Sequence, residues 1–204
     1  MRALRPREQT GLVIVACIVI AAVIAIAFPY VTSPPTRPAP DSVGPQPSPF
    51  IFPGKIRPST VPAAAAGLPN DEPVIGVMAK TTARAYVRKA FTGVPNHVVN
   101  DVVGDTPVTV THFKGCTRVY TGPGTEPLPF MTGGFADGLL LCVDGRFYEQ
   151  ATGEPFRSPE ARPIPYESFG FEETTWGKWR AAHPDTDVYL GSPFVRPTEP
   201  KEKE

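Results

Sequence analysis

HVVNDVVGDTPVTVTH, residues 97–112, decides the fold of this chain. Two runs rich in β-branched residues, 97–100 and 108–112, flank the turn residues Gly104-Asp105-Thr106-Pro107. β-Branched runs separated by Gly, Asp and Pro are typical of a β-hairpin. The stretch therefore predicts two antiparallel strands at the centre of a β-rich domain.

The same pattern continues on both sides of this hairpin. Between two of the further strands, Asp144-Gly145 is the strongest short-range signal of a tight hairpin turn. Thr174 or Thr175 can cap a helix that stops before Pro184, and we expect Trp176 and Trp179 to pack that helix onto a sheet. The predicted fold class is mainly β (α+β), a small β barrel or sandwich with one short C-terminal helix. Further strands are predicted at residues 74–78, 83–87, 117–120, 138–143 and 146–149.

A long apolar run precedes the domain. Residues 11–28 contain no charged side chain, and a helix of that length would cross about 27 Å of hydrocarbon. The basic residues before the run and their scarcity after it predict a cytoplasmic N-terminus and a periplasmic or extracellular domain, anchored in the inner membrane. A cleaved signal peptide and a lipidated Cys17 are the alternatives, and the length of the run favours a retained transmembrane helix.

The composition changes sharply after this run, since many of the chain's 27 prolines fall between residues 29 and 69. Proline lacks a backbone donor, so this segment is predicted to be an extended linker. Three large apolar side chains within it, Phe50, Ile51 and Phe52, are candidates for contact with a partner protein. The predicted organisation is a cytoplasmic N-terminus (1–10), a transmembrane helix (11–31), a Pro-rich linker (32–70), a β-rich periplasmic domain (71–191) and a polar tail (192–204).

Charge and composition narrow the classes of function. Twenty basic and 20 acidic side chains give a net charge of zero, so nucleic acid is not an expected partner. No serine lies in a nucleophile-elbow motif, and the turn contexts of Asp101, Asp105 and Asp144 favour backbone capping over catalysis. The sequence therefore does not argue for an enzyme, and no cofactor is expected.

The histidines and cysteines give only a weak indication of a metal site or a disulfide. His97, His112 and Cys116 are candidate ligands for a metal or a haem iron, although no CxxC or HExxH motif supports them. Cys116 and Cys142 are a candidate disulfide pair in an oxidising compartment. The alternatives are histidines that satisfy local hydrogen bonds and two buried free thiols.

A succession of motifs runs across residues 72–190: Val74-Ile75-Gly76-Val77, Ala83-Arg84-Ala85-Tyr86, Asn96-His97-Val98-Val99-Asn100-Asp101, Pro107-Val108-Thr109-Val110-Thr111, Thr152-Gly153-Glu154, Thr175-Trp176 with Trp179, and His183-Pro184-Asp185-Thr186. This order of motifs resembles the bacterial domain of unknown function DUF3179. The resemblance brings no established activity. Phe113-Lys114-Gly115-Cys116 keeps one cysteine where many members carry two, and Asp144-Gly145-Arg146-Phe147-Tyr148 departs from the family's usual stretch, which implies a binding-only copy.

The expected function is that of a non-catalytic subunit of a larger membrane protein complex, with a respiratory or photosynthetic assembly as one host. The predicted helix and linker would contact the bilayer and the other subunits. The alternative is a periplasmic domain that binds a metal, haem or another ligand.

Overall fold

A computed structural model describes residues 50–158 and 160–191. The predicted transmembrane helix (11–31) and polar tail (192–204) lie outside the described residues. Within the described part, no helix is both long enough and apolar enough to cross a membrane. The strands are β1 (Phe52–Pro53), β2 (Lys55–Ile56), β3 (Val61–Pro62), β4 (Pro73–Ala79), β5 (Thr82–Val87), β6 (Val98–Val103), β7 (Thr106–Phe113), β8 (Cys116–Thr121), β9 (Met131–Phe135), β10 (Leu139–Val143), β11 (Arg146–Glu149), β12 (Glu167–Ser168), β13 (Glu172–Thr175) and β14 (Asp187–Tyr189), and the α-helix is α1 (Trp176–Ala182).

These strands form three sheets. Sheet A has the order β1-β9-β10-β11, sheet B the order β12-β8-β7-β6-β2, and sheet C the order β13-β4-β5-β14-β3. None of the three closes on itself, so the described residues form a mainly β fold without the barrel that was one of the two expected forms. Strand pairs β4/β5, β6/β7, β7/β8 and β10/β11 are the antiparallel hairpins on which the fold is built.

Sheet B lies between the other two sheets. Val99 and Val110 belong to a core cluster shared with sheet C, whereas Val98 and Tyr120 belong to a second cluster shared with sheet A. A sheet covered on both faces needs apolar or hydrogen-bonded residues at every position rather than at alternate ones. This explains why residues 98–103 and 106–113 are buried almost throughout.

Tight turns set the register of the hairpins. Asp144 and Gly145 have φ values of 49° and 75°, the left-handed backbone that a two-residue hairpin requires, which confirms the predicted turn. Lys114 and Gly115, at 47° and 82°, form an equivalent turn between β7 and β8. The turn between β6 and β7 is shorter than predicted, because Val103 already pairs with Thr106.

The predicted linker ends earlier than residue 70. β1, β2 and β3 lie in residues 52–62 and pair with β9, β6 and β14, one strand in each sheet. Short edge strands tolerate proline because one side of such a strand needs no backbone donor. The domain boundary predicted at residue 71 is therefore too late by about twenty residues.

The C-terminal helix has the predicted position. α1 runs from Trp176 to Ala182, and the indoles of Trp176 and Trp179 are buried in the core shared by sheets B and C. The predicted cap was wrong in detail, since Thr175 at the N-cap makes no side-chain hydrogen bond to the helix. Glu172 and Glu173, just before the helix, are part of β13.

Candidate functional site

Two of the candidate histidines meet in one cavity. The backbone N–H of His112 donates to the carbonyl oxygen of His97 at 3.1 Å, so the β6/β7 pairing brings the two residues together. The cavity beside them has a volume of about 450 Å³, and we call it the histidine cavity. Its walls are Glu72, Pro73, Arg88, Lys89, Phe91, Thr92, Gly93, His97, His112, Phe113, Lys114 and Gly115.

Hydrogen bonds determine the tautomers of both imidazoles. His97 Nδ1 lies 3.1 Å from the carbonyl oxygen of His112, and a carbonyl only accepts, so Nδ1 carries the proton. His112 Nδ1 lies 2.8 Å from the Thr117 hydroxyl oxygen, which donates its own proton to Glu173. That oxygen must therefore accept from His112 Nδ1. Nε2 is the His112 nitrogen that remains for a ligand.

Burial lowers the pKa of both histidines. At His97 the backbone carbonyls of His112 and Phe91 oppose this effect. At His112 the positive charge of Arg88 and the neighbouring His97 lower the pKa further, while Glu173 acts in the opposite direction. Both imidazoles are thus neutral at pH 7.

The rim of the cavity carries excess positive charge. Lys89 Nζ lies 2.6 Å from Glu72 Oε2, so the cavity's one carboxylate is neutralised by a neighbouring ammonium. Arg88 and Lys114 are exposed on the same rim, and Lys114 Nζ lies 5.3 Å from the centroid of the Phe113 ring. The cavity therefore combines two neutral imidazoles with two cations that no carboxylate of the cavity lining balances.

The structure does not bring Cys116 to these histidines. His112 pairs with Thr117 and Phe113 pairs with Cys116, and Cys116 lines a separate cavity of about 350 Å³. In residues 50–158 and 160–191, no group of three or more His, Cys, Asp or Glu residues could hold a metal ion. The predicted metal set is therefore split between two cavities.

Exposed apolar side chains are concentrated in residues 51–56, in and just before the first two strands. Ile51, Phe52 and Ile56 are exposed by 50%, 38% and 66%, and we call these residues the apolar edge. Phe50 differs from them, because its ring packs edge-on against Phe135 with centroids 5.6 Å apart. Of the three residues in the predicted patch, Phe50 therefore packs on the domain, whereas Ile51 and Phe52 are exposed. Ile56 is a further exposed residue that was not predicted.

A family profile for a protein of unknown function, DUF3179, matches residues 49–197. The chain belongs to the DUF3179 family. The match begins close to β1, which agrees with the structural finding that the domain includes the segment first assigned to the linker. The comparison with curated proteins returned no match, and neither did the comparison with solved structures.

The cysteines of this DUF3179 domain are both free thiols, so the candidate disulfide between Cys116 and Cys142 is not formed. Cys142 lies in β10 and is fully buried, and burial raises the pKa of its thiol. Cys116, at the start of β8, is partly exposed. Cys116 and Cys142 are therefore unlinked side chains on two different strands, β8 and β10.

A charge network missed by the sequence analysis lies inside the DUF3179 domain. Arg84 Nη1 is 2.8 Å from Asp101 Oδ2, and Arg84 Nη2 is 2.7 Å from Asp187 Oδ2. Tyr86 donates to the same Asp101 oxygen at 2.8 Å. Asp101 was predicted to occupy a turn, but it lies inside β6 and is almost fully buried. The Ala83-Arg84-Ala85-Tyr86 pattern was the available signal, since it places two polar side chains on one face of a strand.

This network does not form a reaction centre with the histidines. Asp101 binds Arg84 and Tyr86, His97 lines the histidine cavity, and Asp144 is exposed in the β10/β11 turn. Acid–base chemistry requires its groups within hydrogen-bonding reach of one another in a cleft. Asp101, His97 and Asp144 therefore have three different surroundings in the described part of the chain.

Proposed function

We propose that this chain is a non-catalytic subunit of a larger membrane protein complex, anchored by its N-terminal helix, with its β domain on the periplasmic face. The observation that carries the proposal is the apolar edge, Ile51, Phe52 and Ile56, which leaves three large apolar side chains in water. Several large apolar side chains exposed within six residues of a folded domain are characteristic of a surface that binds another protein.

The partner inferred from this surface is another membrane protein. The apolar edge is the first part of the domain to follow the apolar run of residues 11–28, with the Pro-rich residues 29–50 between them. Ala16, Ala21 and Ala22 in that run would allow close packing against a neighbouring helix. A partner that crosses the bilayer would contact both the helix and the edge of the domain.

The test is a double substitution, Ile51→Ser with Ile56→Ser, in the full chain. If the apolar edge docks on a partner, each change should cost about 1 to 3 kcal/mol of binding, and the protein should separate from its complex on native gels in mild detergent. Phe50 is left intact because it packs on Phe135. The melting temperature of the purified chain should stay the same.

Met78→Ser is the matched control, since Met78 is as exposed as Phe52, at 38%, but lies on β4 of sheet C. This variant should remain in the complex. If the double variant co-migrates with the complex at the level of the unsubstituted chain, the apolar edge is not the docking surface.

The second candidate is a ligand-binding domain, and the histidine cavity favours it. The sequence suggested a metal, a haem or another ligand. The metal and the haem lose support because Cys116 lines a different cavity from His97 and His112. The remaining alternative is a small molecule that the charged side chains and imidazoles of the histidine cavity recognise.

A further inference from the structure

We propose that the histidine cavity binds a small oxyanion, with its negative charge held by Arg88 and Lys114 and one oxygen facing His112. This inference does not depend on the apolar edge or on membrane anchoring. A sulfate, phosphate or carboxylate group supplies the required chemistry.

The charge balance of the cavity points to an anion. Lys89 and Glu72 form an ion pair at 2.6 Å, which leaves Arg88 and Lys114 as the unbalanced charges of the lining. Guanidinium and ammonium groups form their strongest hydrogen bonds with carboxylate and phosphate oxygens. The same two cations would repel a divalent metal, even though an imidazole nitrogen by itself would suit one.

His112 is held in place for a ligand by a chain of hydrogen bonds. Glu173 accepts from Thr117, and Thr117 accepts from His112 Nδ1, so the ring is fixed through two elements of the fold. A carboxylate acting through a neighbouring group on Nδ1 also stabilises the imidazolium form. Protonation at Nε2 would convert the ring into a donor toward an oxyanion.

Binding should therefore be coupled to proton uptake. In the empty cavity, burial, Arg88 and His97 lower the pKa of His112, and Glu173 raises it. Lys89 and Lys114 on the rim are cations too, and Glu72 is paired with Lys89. A bound anion would offset the nearby positive charge and raise the pKa of His112. Affinity should consequently increase as the pH falls through the pKa of the bound state.

The experiment uses the full chain in detergent with sulfate as the probe, because sulfate keeps a constant charge across the pH range of histidine titration. Calorimetry at pH 6 and pH 8 measures the affinity, and NMR of histidine-labelled protein follows the ring protons. If sulfate raises the pKa of His112 by about one unit, its affinity should be up to about tenfold higher at the lower pH. His183 is the internal control, since it packs on Trp179 and lines a different cavity.

Arg88→Gln and Lys114→Gln should each weaken sulfate binding by about tenfold at pH 6, because each removes a charge-assisted hydrogen bond. Both residues are exposed, so the variants should fold. Arg146→Gln, a change at an exposed arginine on β11 outside the cavity lining, should bind sulfate normally. Parallel titrations with acetate decide whether a tetrahedral anion or a carboxylate is preferred.

Three results would overturn the proposal. One is that neither sulfate nor acetate shifts the His97 and His112 signals. Another is equal affinity at pH 6 and pH 8. The third is equal binding by the Arg88→Gln variant and the unsubstituted chain. None of these measurements involves the membrane complex. A negative result would therefore contradict anion binding without contradicting the proposal that the apolar edge binds a partner.

Discussion

Arg84 on β5 links sheet C to sheet B through ion pairs with two carboxylates. Its guanidinium contacts Asp101 and Asp187, and its side chain is only 14% exposed. Burial opposes the charge on Arg84, but hydrogen bonds to the two carboxylates outweigh burial and raise its pKa. Burial and the Asp101 charge raise the pKa of Tyr86, which keeps its hydroxyl a donor. Each buried polar group of this network therefore depends on the others for its hydrogen bonds.

We expect Arg84→Met to lower the free energy of unfolding by about 3 to 5 kcal/mol, because it leaves the buried Asp101 carboxylate without its cation. Lys80→Met is the control, since Lys80 lies 3.6 Å from Asp105 in a pair whose side chains are 68% and 81% exposed. That control should change stability by less than about 1 kcal/mol. Urea unfolding at pH 7 measures both. Equal losses in the two variants would show that the buried network does not stabilise the fold.

At the scale of elements, α1 is held on sheet C by one close approach. A Cβ at Gly76 in β4 would collide with the indole of Trp179, so the helix packs directly on the strand backbone. Trp179 Nε1 also donates to the Thr186 hydroxyl at 3.0 Å. The absence of a side chain at residue 76 therefore determines how near the helix can lie.

Gly76→Ala should destabilise the domain by about 1 to 3 kcal/mol, because the indole has to move out of a packed core. Gly138→Ala is the matched control, since a Cβ there meets nothing within 4 Å. Thermal melting followed by tryptophan fluorescence reports on the indoles directly. A Gly76→Ala variant that melts at the same temperature as the Gly138→Ala variant would contradict this account of helix packing.

At the scale of the whole molecule, one segment, residues 52–62, joins all three sheets. Residues 52–62 supply β1 to sheet A, β2 to sheet B and β3 to sheet C. Two further backbone bonds extend this pairing, from Arg57 to Asn100 at 2.9 Å and from Ala63 to Thr186 at 3.0 Å. A sheet edge without a partner exposes backbone donors and acceptors to other chains. The segment therefore covers three edges at once.

A shortened chain that begins at residue 71 should consequently melt at least about 5 °C below one that begins at residue 49. It should also form soluble aggregates, because three sheet edges lose their short covering strands. Differential scanning calorimetry and size-exclusion chromatography measure the two effects. Equal melting temperatures and monomeric elution of both chains would show that the segment adds nothing to the fold.

Local patterns were sufficient for part of this architecture. Alternation of β-branched runs with turn residues predicted the hairpins, and Asp144-Gly145 predicted its turn, because hairpin geometry depends on neighbours in sequence. The spacing of Trp176 and Trp179 predicted their burial for the same reason. The order of motifs also indicated the DUF3179 family, and the family profile confirms it.

Other features depended on residues far apart in the chain. Arg84 and Asp187 are 103 residues apart, and β2 pairs in parallel with β6 across more than forty residues. Proline content predicted a linker at residues 32–70, yet edge pairing recruited residues 52–62 into three sheets. His97 and His112 share a cavity while Cys116 lines another, because strand pairing, not sequence spacing, decides which side chains meet. The sequence alone determined the main hairpins, the helix and the family. The tertiary structure decided which groups those elements bring together and which linker residues become strands, since a residue's chemistry depends on its neighbours in space.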